Sequence, residues 1–166
     1  AKTAHDAGAT VLLNLSPYAE IPQSLAALSD VLLVNAHEAS MFLGDAAMPH
    51  PGAHASAWET VRSQFAERGL QRVLVTLGSH GSVVLDSLAA SGEQISRIAP
   101  TKVNALDTTG AGDAFTGAVA SRLAAGETLA EAAAFASVAA ALATTKKGTQ
   151  AAYPGAAEVL EHLRIS

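Results

Sequence analysis

Three short apolar runs set the rhythm of the first half of the chain: Thr10-Val11-Leu12-Leu13-Asn14-Leu15, Val31-Leu32-Leu33-Val34 and Val73-Leu74-Val75-Thr76. None alternates apolar with polar positions, so each predicts a strand buried on both faces. Between them the spacing becomes helical. Residues 1–7 read as a helix that Gly8 ends. Pro22 to Leu28 fits a short helix with proline near its start. Ala55 to Arg68 puts Trp58, Val61 and Phe65 on one face, and Gly69 closes it. Helices and strands in alternation predict a parallel sheet with right-handed crossovers. Ligands gather at the carboxyl ends of the strands in such sheets, and Asn14 and Asn35 stand at two of those ends.

The pattern then shifts. Val73–Thr76 and Ser82–Leu85 are apolar runs joined by Leu77-Gly78-Ser79-His80-Gly81, which predicts a hairpin. Gln94–Ile98 reads as an edge strand ahead of Pro100. From Ala111 onward, Phe115, Val119 and Leu123 recur four apart and stack one helix face. Thr128 caps a second, alanine-rich helix over Leu129–Ala143, and Gly155 to Leu163 forms a closing helix. Residues 44–56 hold Pro49 and Pro51 and read as a surface loop. His50 and His54 in it lie four apart, but Pro51-Gly52 breaks any helix that would pair them on a metal.

Candidate chemistry concentrates in Asp107-Thr108-Thr109-Gly110-Ala111-Gly112-Asp113-Ala114-Phe115. A polar, glycine-bearing turn opens there onto a helix N-terminus. The first N–H groups of a helix lack partners within it, and with the helix dipole they favour an anion. Asp113 has two readings. A carboxylate at a helix start is often a cap worth about 1 kcal/mol. It also suits a general base beside an anion hole, taking a proton from a hydroxyl while the amides hold the charge on a transferring phosphoryl group. A Walker loop would end in Gly-Lys-Ser/Thr, which does not follow Gly112. A dinucleotide fingerprint would need glycine where Phe115 stands, and an acidic residue at a strand end rather than Glu127 or Glu131. Asn35-Ala36-His37-Glu38 likewise has a plain reading, a capping box with asparagine in the capping position.

The nine residues from Asp107 to Phe115 resemble the C-terminal signature of the ribokinase-like (pfkB) family of ATP-dependent sugar kinases. That resemblance implies an α/β fold with three layers, a mainly parallel central sheet flanked by helices. It makes Asp113 the catalytic base, in contact with the sugar, and the amides of Gly110, Ala111 and Gly112 the anion hole. Asn35, Thr76, Gly78, Ser79, Gly81, Gly112 and Ser137 become ATP contacts, and Glu38 orders magnesium through water. His80 stands where the family often has a longer cation, and His37 has no role. The Thr144-Thr145-Lys146-Lys147-Gly148-Thr149-Gln150 stretch resembles the part of the family that binds a monovalent cation, potassium. The implied ligands are at Asp107, Thr109, Ala143, Lys146, Gly148 and Ala152. At the last position the family tends to supply a hydroxyl, which alanine lacks.

Length and charge narrow this reading. The chain has 166 residues, 49% of them apolar, a net charge of −5 and no cysteine. The acidic balance argues against a nucleic-acid surface, and the Ala133–Ala143 run is too short to span a membrane. Without cysteine there is neither a disulfide nor thiolate chemistry, which fits a cytoplasmic protein. Members of the resembled family are longer. Their N-terminal half carries most of the sugar site and a lid that pairs subunits into a homodimer. Residues 1–166 therefore read as the C-terminal, nucleotide-binding part of such a kinase, with ribose as the leading substrate. The alternatives are a sister kinase acting on fructose, a nucleoside or a sugar phosphate, or a module that binds nucleotide without turnover. The last is the behaviour expected of these residues alone.

Overall fold

The computed structural model describes residues 1–165, in two compact units, Ala1–Arg97 and Ile98 onward. The first is built on a sheet. Helix α1 (Lys2–Asp6) precedes β1 (Leu12–Asn14), α2 (Gln23–Ala26), β2 (Val31–Asn35), α3 (Ala36–Phe42), α4 (Glu59–Glu67), β3 (Arg72–Thr76), β4 (Ser82–Asp86) and β5 (Ile95–Ile98). The strands lie in the order β1-β2-β3-β4-β5. β1 and β2 are parallel, as are β2 and β3, while β3 and β4 form the antiparallel hairpin expected from the sequence.

Leu32, Val34, Val73, Val75, Val83 and Leu85 alternate along their strands and share one sheet face. Against it pack Trp58 and Phe65, both fully buried, with Val61 and Leu43. Burying a large apolar side chain stabilises the fold by about 1.5–3 kcal/mol. The Phe65 ring stacks on Phe42 at a centroid distance of 5.5 Å. The opposite face of these strands is buried too, with Val31, Leu33, Leu74 and Val84 each at most 5% exposed. That is why β2, β3 and β4 read as unbroken apolar runs.

Two expectations need correction. β1 was expected to be buried on both faces, yet its three residues are half-buried. It is the outermost strand, with a neighbour on one side only. The helix expected over Ala55–Arg68 is divided into a 3-10 turn, Ala55–Trp58, and α4. The His54 ring accepts the Ser56 N–H and so starts the tighter turn before the helix proper.

The second unit is helical: α5 (Ala111–Ala124), α6 (Leu129–Ala143) and α7 (Ala156–Ile165). Thr128 and Glu131 complete a capping box at the start of α6, each side chain accepting the other residue's backbone N–H. Arg122 at the end of α5 pairs with Glu127 and lies 4.7 Å over the Phe135 ring of α6. Phe135, Val138 and Ala139 of α6 then bury Val159 of α7. Small alanine side chains let α6 approach its neighbours closely, which is the core role expected of that composition. Among the described residues no helix is long and apolar enough to cross a membrane.

Candidate phosphate and nucleotide site

In the first unit the candidate residues collect at the carboxyl ends of β2 and β3. Asn35 and Thr76 face each other in register, and Thr76 is in turn paired with Ser82. Residues paired in register point to the same sheet face, so all three share one side of this end of the sheet. The capping box read from the sequence is complete. Asn35 Oδ1 accepts the Glu38 N–H at 2.9 Å, and Glu38 Oε2 accepts the Asn35 N–H at 2.8 Å. That settles the amide orientation, because only an oxygen can accept there. Asn35 is exposed, and its Nδ2 is left as an outward donor. Glu38 is only 6% exposed, and the box leaves its Oε1 unused. The cap and a ligand contact are therefore compatible uses of the same two side chains.

Beyond Thr76, Gly78 opens a single 3-10 turn that Gly81 closes, and the Leu77 N–H reaches the Gly81 carbonyl at 2.8 Å. Gly81 has φ 84° and ψ −138°, a region open only to glycine. Gly78, Ser79 and His80 are exposed at the tip. Two oxygens at this end of the sheet are buried without a hydrogen-bond partner, Asn14 Oδ1 and Ser82 Oγ. Ser82 is a position that sequence reasoning missed. It sits in an apolar run, and only its pairing with Thr76 draws it to this end of the sheet.

In the second unit the signature forms a turn and then α5. The Ala111 N–H donates to the Thr108 carbonyl at 3.2 Å, closing a four-residue turn with Gly110 in its third position at φ 77° and ψ 1°. Asp45 is the one described non-glycine residue with positive φ, so Thr109 has negative φ and the turn is type II. Of the three amides expected to face an anion, that of Ala111 is used in closing the turn. Within residues 110–113 the amides without a partner are those of Gly110, Gly112 and Asp113. The Asp113 side chain is exposed and makes no capping bond, so the plain cap reading has no hydrogen bond behind it.

Asp107 fixes the turn from the front. Its Oδ1 accepts the Thr109 N–H at 3.0 Å, and its Oδ2 accepts the Gly148 N–H at 3.1 Å. The N–H groups of Leu106 and Asp107 donate to the Thr144 carbonyl at the end of α6, satisfying an acceptor that the helix leaves open. The Thr109 side chain first, then the N–H groups of Thr109 and Gly148, hold the Asp107 carboxyl below the usual carboxylate range. A depressed folded value means that the ionised form stabilises the fold. That contribution is complete above an ordinary aspartate pKa of about 3.9, and it fades as pH falls through the lowered value. Asp107→Asn is therefore expected to lower the melting temperature at neutral pH, with the gap to wild type closing in acid. A gap that persists undiminished to the acid limit of folding would count against the role given to this carboxylate.

Two further residues meet the turn from sequence positions far away. A methyl group added to Gly110 would lie 2.9 Å from Tyr153 Oη, 3.3 Å from Tyr153 Cε1 and 3.4 Å from Thr149 Cβ. Neither Tyr153 nor Thr149 was singled out from the sequence. Ser137 donates its hydroxyl to the Ala99 carbonyl at 3.2 Å, so its proton is held within the protein.

Some of the oxygens at the six residues expected around a monovalent cation already accept hydrogen bonds, among them both carboxylate oxygens of Asp107. Gly148 turns its N–H to Asp107, the Ala143 carbonyl accepts from the Lys146 N–H, and Ala152 is buried with no side-chain oxygen. Lys146 Nζ pairs with Glu158 at 3.1 Å. Among the described residues no group of three or more histidine, cysteine or acidic side chains is placed to hold a metal.

Residues 1–156 match the family described as pfkB family carbohydrate kinase. The ribokinase of Staphylococcus aureus is 35% identical over 153 residues, which cover 92% of this chain and 47% of that protein. The ribokinase of Schizosaccharomyces pombe is 32% identical over 156 residues, covering 94% and 47% respectively. Among solved structures, the Arabidopsis thaliana ribokinase complexed with ribose and ATP is similar with a TM-score of 0.84 at 31% identity. It covers 99% of this chain and 51% of that one. The likeness bears out the α/β fold expected from the sequence. The chain spans about half the length of the curated relatives it matches.

Proposed function

We propose that this chain, which belongs to the pfkB family of carbohydrate kinases, is the nucleotide-binding part of an ATP-dependent sugar kinase acting on ribose. The observation that carries the reading is the mouth of α5. Three backbone N–H groups stand open there beside an exposed, unpaired carboxylate. Ribose is favoured because the similar proteins are ribokinases, one of them solved with ribose and ATP.

In this reading Asp113 accepts the proton of a primary sugar hydroxyl. The sugar oxygen bonds to the γ-phosphorus of ATP as the bond from that phosphorus to the bridging oxygen breaks, and ADP leaves. The N–H groups of Gly110, Gly112 and Asp113 hold the charge that grows on the transferring group, the last two placed by the first turn of α5. Asn35 Nδ2, Thr76 and the Gly78-Ser79-His80-Gly81 turn supply nucleotide contacts, and Ser137 lends an acceptor. Magnesium, when bound with ATP, neutralises the phosphates and aligns them. This chain suits it as an outer partner, because Glu38 offers one remaining carboxylate oxygen and magnesium keeps several of its waters. No step is assigned to potassium.

The test has two arms. In the full-length protein, ATP with ribose, fructose or adenosine should give transfer to ribose in preference. Residues 1–166 alone should bind ATP by calorimetry without phosphorylating any of the three. Transfer to fructose or adenosine in preference to ribose would overturn the substrate, and failure of the chain to bind ATP would overturn the nucleotide reading.

A further inference from the structure

We infer that Tyr153 is a positioning residue of the phosphoryl-transfer site, its phenol ring holding the Gly110 turn in the form that aims the Gly110 N–H at an anion. The inference rests on the kinase reading above for its consequence in turnover, but its structural part stands without it.

A four-residue turn closed by one backbone bond has two common forms, related by a flip of the central peptide. Here the central peptide joins Thr109 to Gly110 and carries the Gly110 N–H. In the type II form the third residue sits near φ +80°, as Gly110 does at 77°. In the type I form it would sit near −90°, and the N–H would swing to the other side of the turn. The neighbouring peptides are already tied. The Thr109 N–H is bound to Asp107 Oδ1, and the Ala111 N–H to the Thr108 carbonyl. The peptide between them has no hydrogen bond on its N–H.

Tyr153 supplies the missing restraint by packing. Its phenol lies against Gly110 on the side where an L side chain would stand, so close that even a methyl group there would have to displace the ring. The segment that bears it is itself anchored, because the Gly148 N–H binds Asp107 Oδ2 and the Ala152 N–H binds the Thr149 carbonyl. So one end of the segment grips the carboxylate before the turn, and the other end presses on the glycine within it. A donor fixed in this way matters most where charge develops in the transition state, and so in kcat rather than in KM for ATP.

The experiment compares Tyr153→Phe, Tyr153→Leu and Tyr153→Ala in the full-length protein, read by steady-state kinetics and by the Gly110 amide resonance under selective 15N-glycine labelling. Tyr153→Phe keeps the ring and should stay within about twofold of wild type, with the resonance in place. Tyr153→Leu and Tyr153→Ala should lower kcat about tenfold or more, leave KM for ATP within about threefold, and move the resonance. The leucine variant keeps the test usable should alanine unfold the segment. An unmoved resonance in both, a loss confined to KM, or equal loss in Tyr153→Phe overturns the inference. If the wild-type protein phosphorylates no sugar, the kinase reading fails, and the resonance alone still decides whether Tyr153 holds the turn.

Discussion

On the kinase reading, Asp113→Asn in the full-length protein is expected to lower turnover by about 10²–10⁴-fold while ATP binding survives. Asparagine keeps the shape of the side chain but cannot take a proton from the sugar hydroxyl. The structure makes the substitution clean. Asp113 is exposed and makes no capping bond, so the change leaves no buried group unsatisfied. What the fold loses is the attraction of one carboxylate for the N-terminal end of α5, about 0.3–1 kcal/mol. The melting temperature should therefore move little while kcat collapses. That contrast separates the two readings available from the sequence. If Asp113 served only the helix, stability would fall by about 1 kcal/mol and turnover would stay near wild type. Turnover within about tenfold of wild type would remove Asp113 from the role of base.

Much of the fold was legible because its signals are local. β2, β3 and β4 are buried on both faces, and continuous apolar runs say so directly. The Asn35 and Thr128 capping boxes each close over three residues, so their parts are adjacent in the sequence. The signature turn was placed correctly because glycine at a left-handed position leaves a mark in composition. Three things were less legible. The exposed side of β1 depends on how many neighbours a strand has, which its own residues do not record. The direction of the Gly110 amide depends on turn type, and the same residues could close a turn of either form through the same Ala111 bond. The contact of Tyr153 with Gly110 and the bond from Gly148 to Asp107 join segments about forty residues apart, the latter spanning 41. Tyr153 lies next to Pro154 in a stretch that reads as an ordinary loop, and nothing in its neighbourhood points back to the turn.

The two glycines of the signature should answer alanine in opposite ways, and the difference bears on how the site works. Gly110→Ala combines two penalties. A residue with a Cβ held at φ 77° costs about 1–2 kcal/mol, and the new methyl would lie 2.9 Å from Tyr153 Oη. The turn can escape both by flipping its central peptide, which withdraws the Gly110 N–H from the anion. Loss of one preorganised donor costs about 10²–10³-fold in kcat, and that is the expected result, measured with saturating ATP and ribose. Removing the ring as well, in Gly110→Ala with Tyr153→Ala, should relieve the clash but not the backbone strain, so activity should not return. Gly112 differs. Apart from its chain neighbours and the backbone of its own helix, no described atom lies within 4 Å of where its methyl would go, and its φ lies outside the left-handed region. Gly112→Ala should therefore be neutral or stabilising by up to about 1 kcal/mol, since alanine suits a helix better than glycine. Yet that empty space lies between two open amides, where a phosphate would have to approach the backbone. A Gly112→Ala protein that gains stability and loses phosphoryl transfer would identify the space as the ligand's. If Gly112→Ala instead kept full turnover, the anion would have to approach through Gly110 and Asp113 alone, and the hole would be narrower than its three open donors imply.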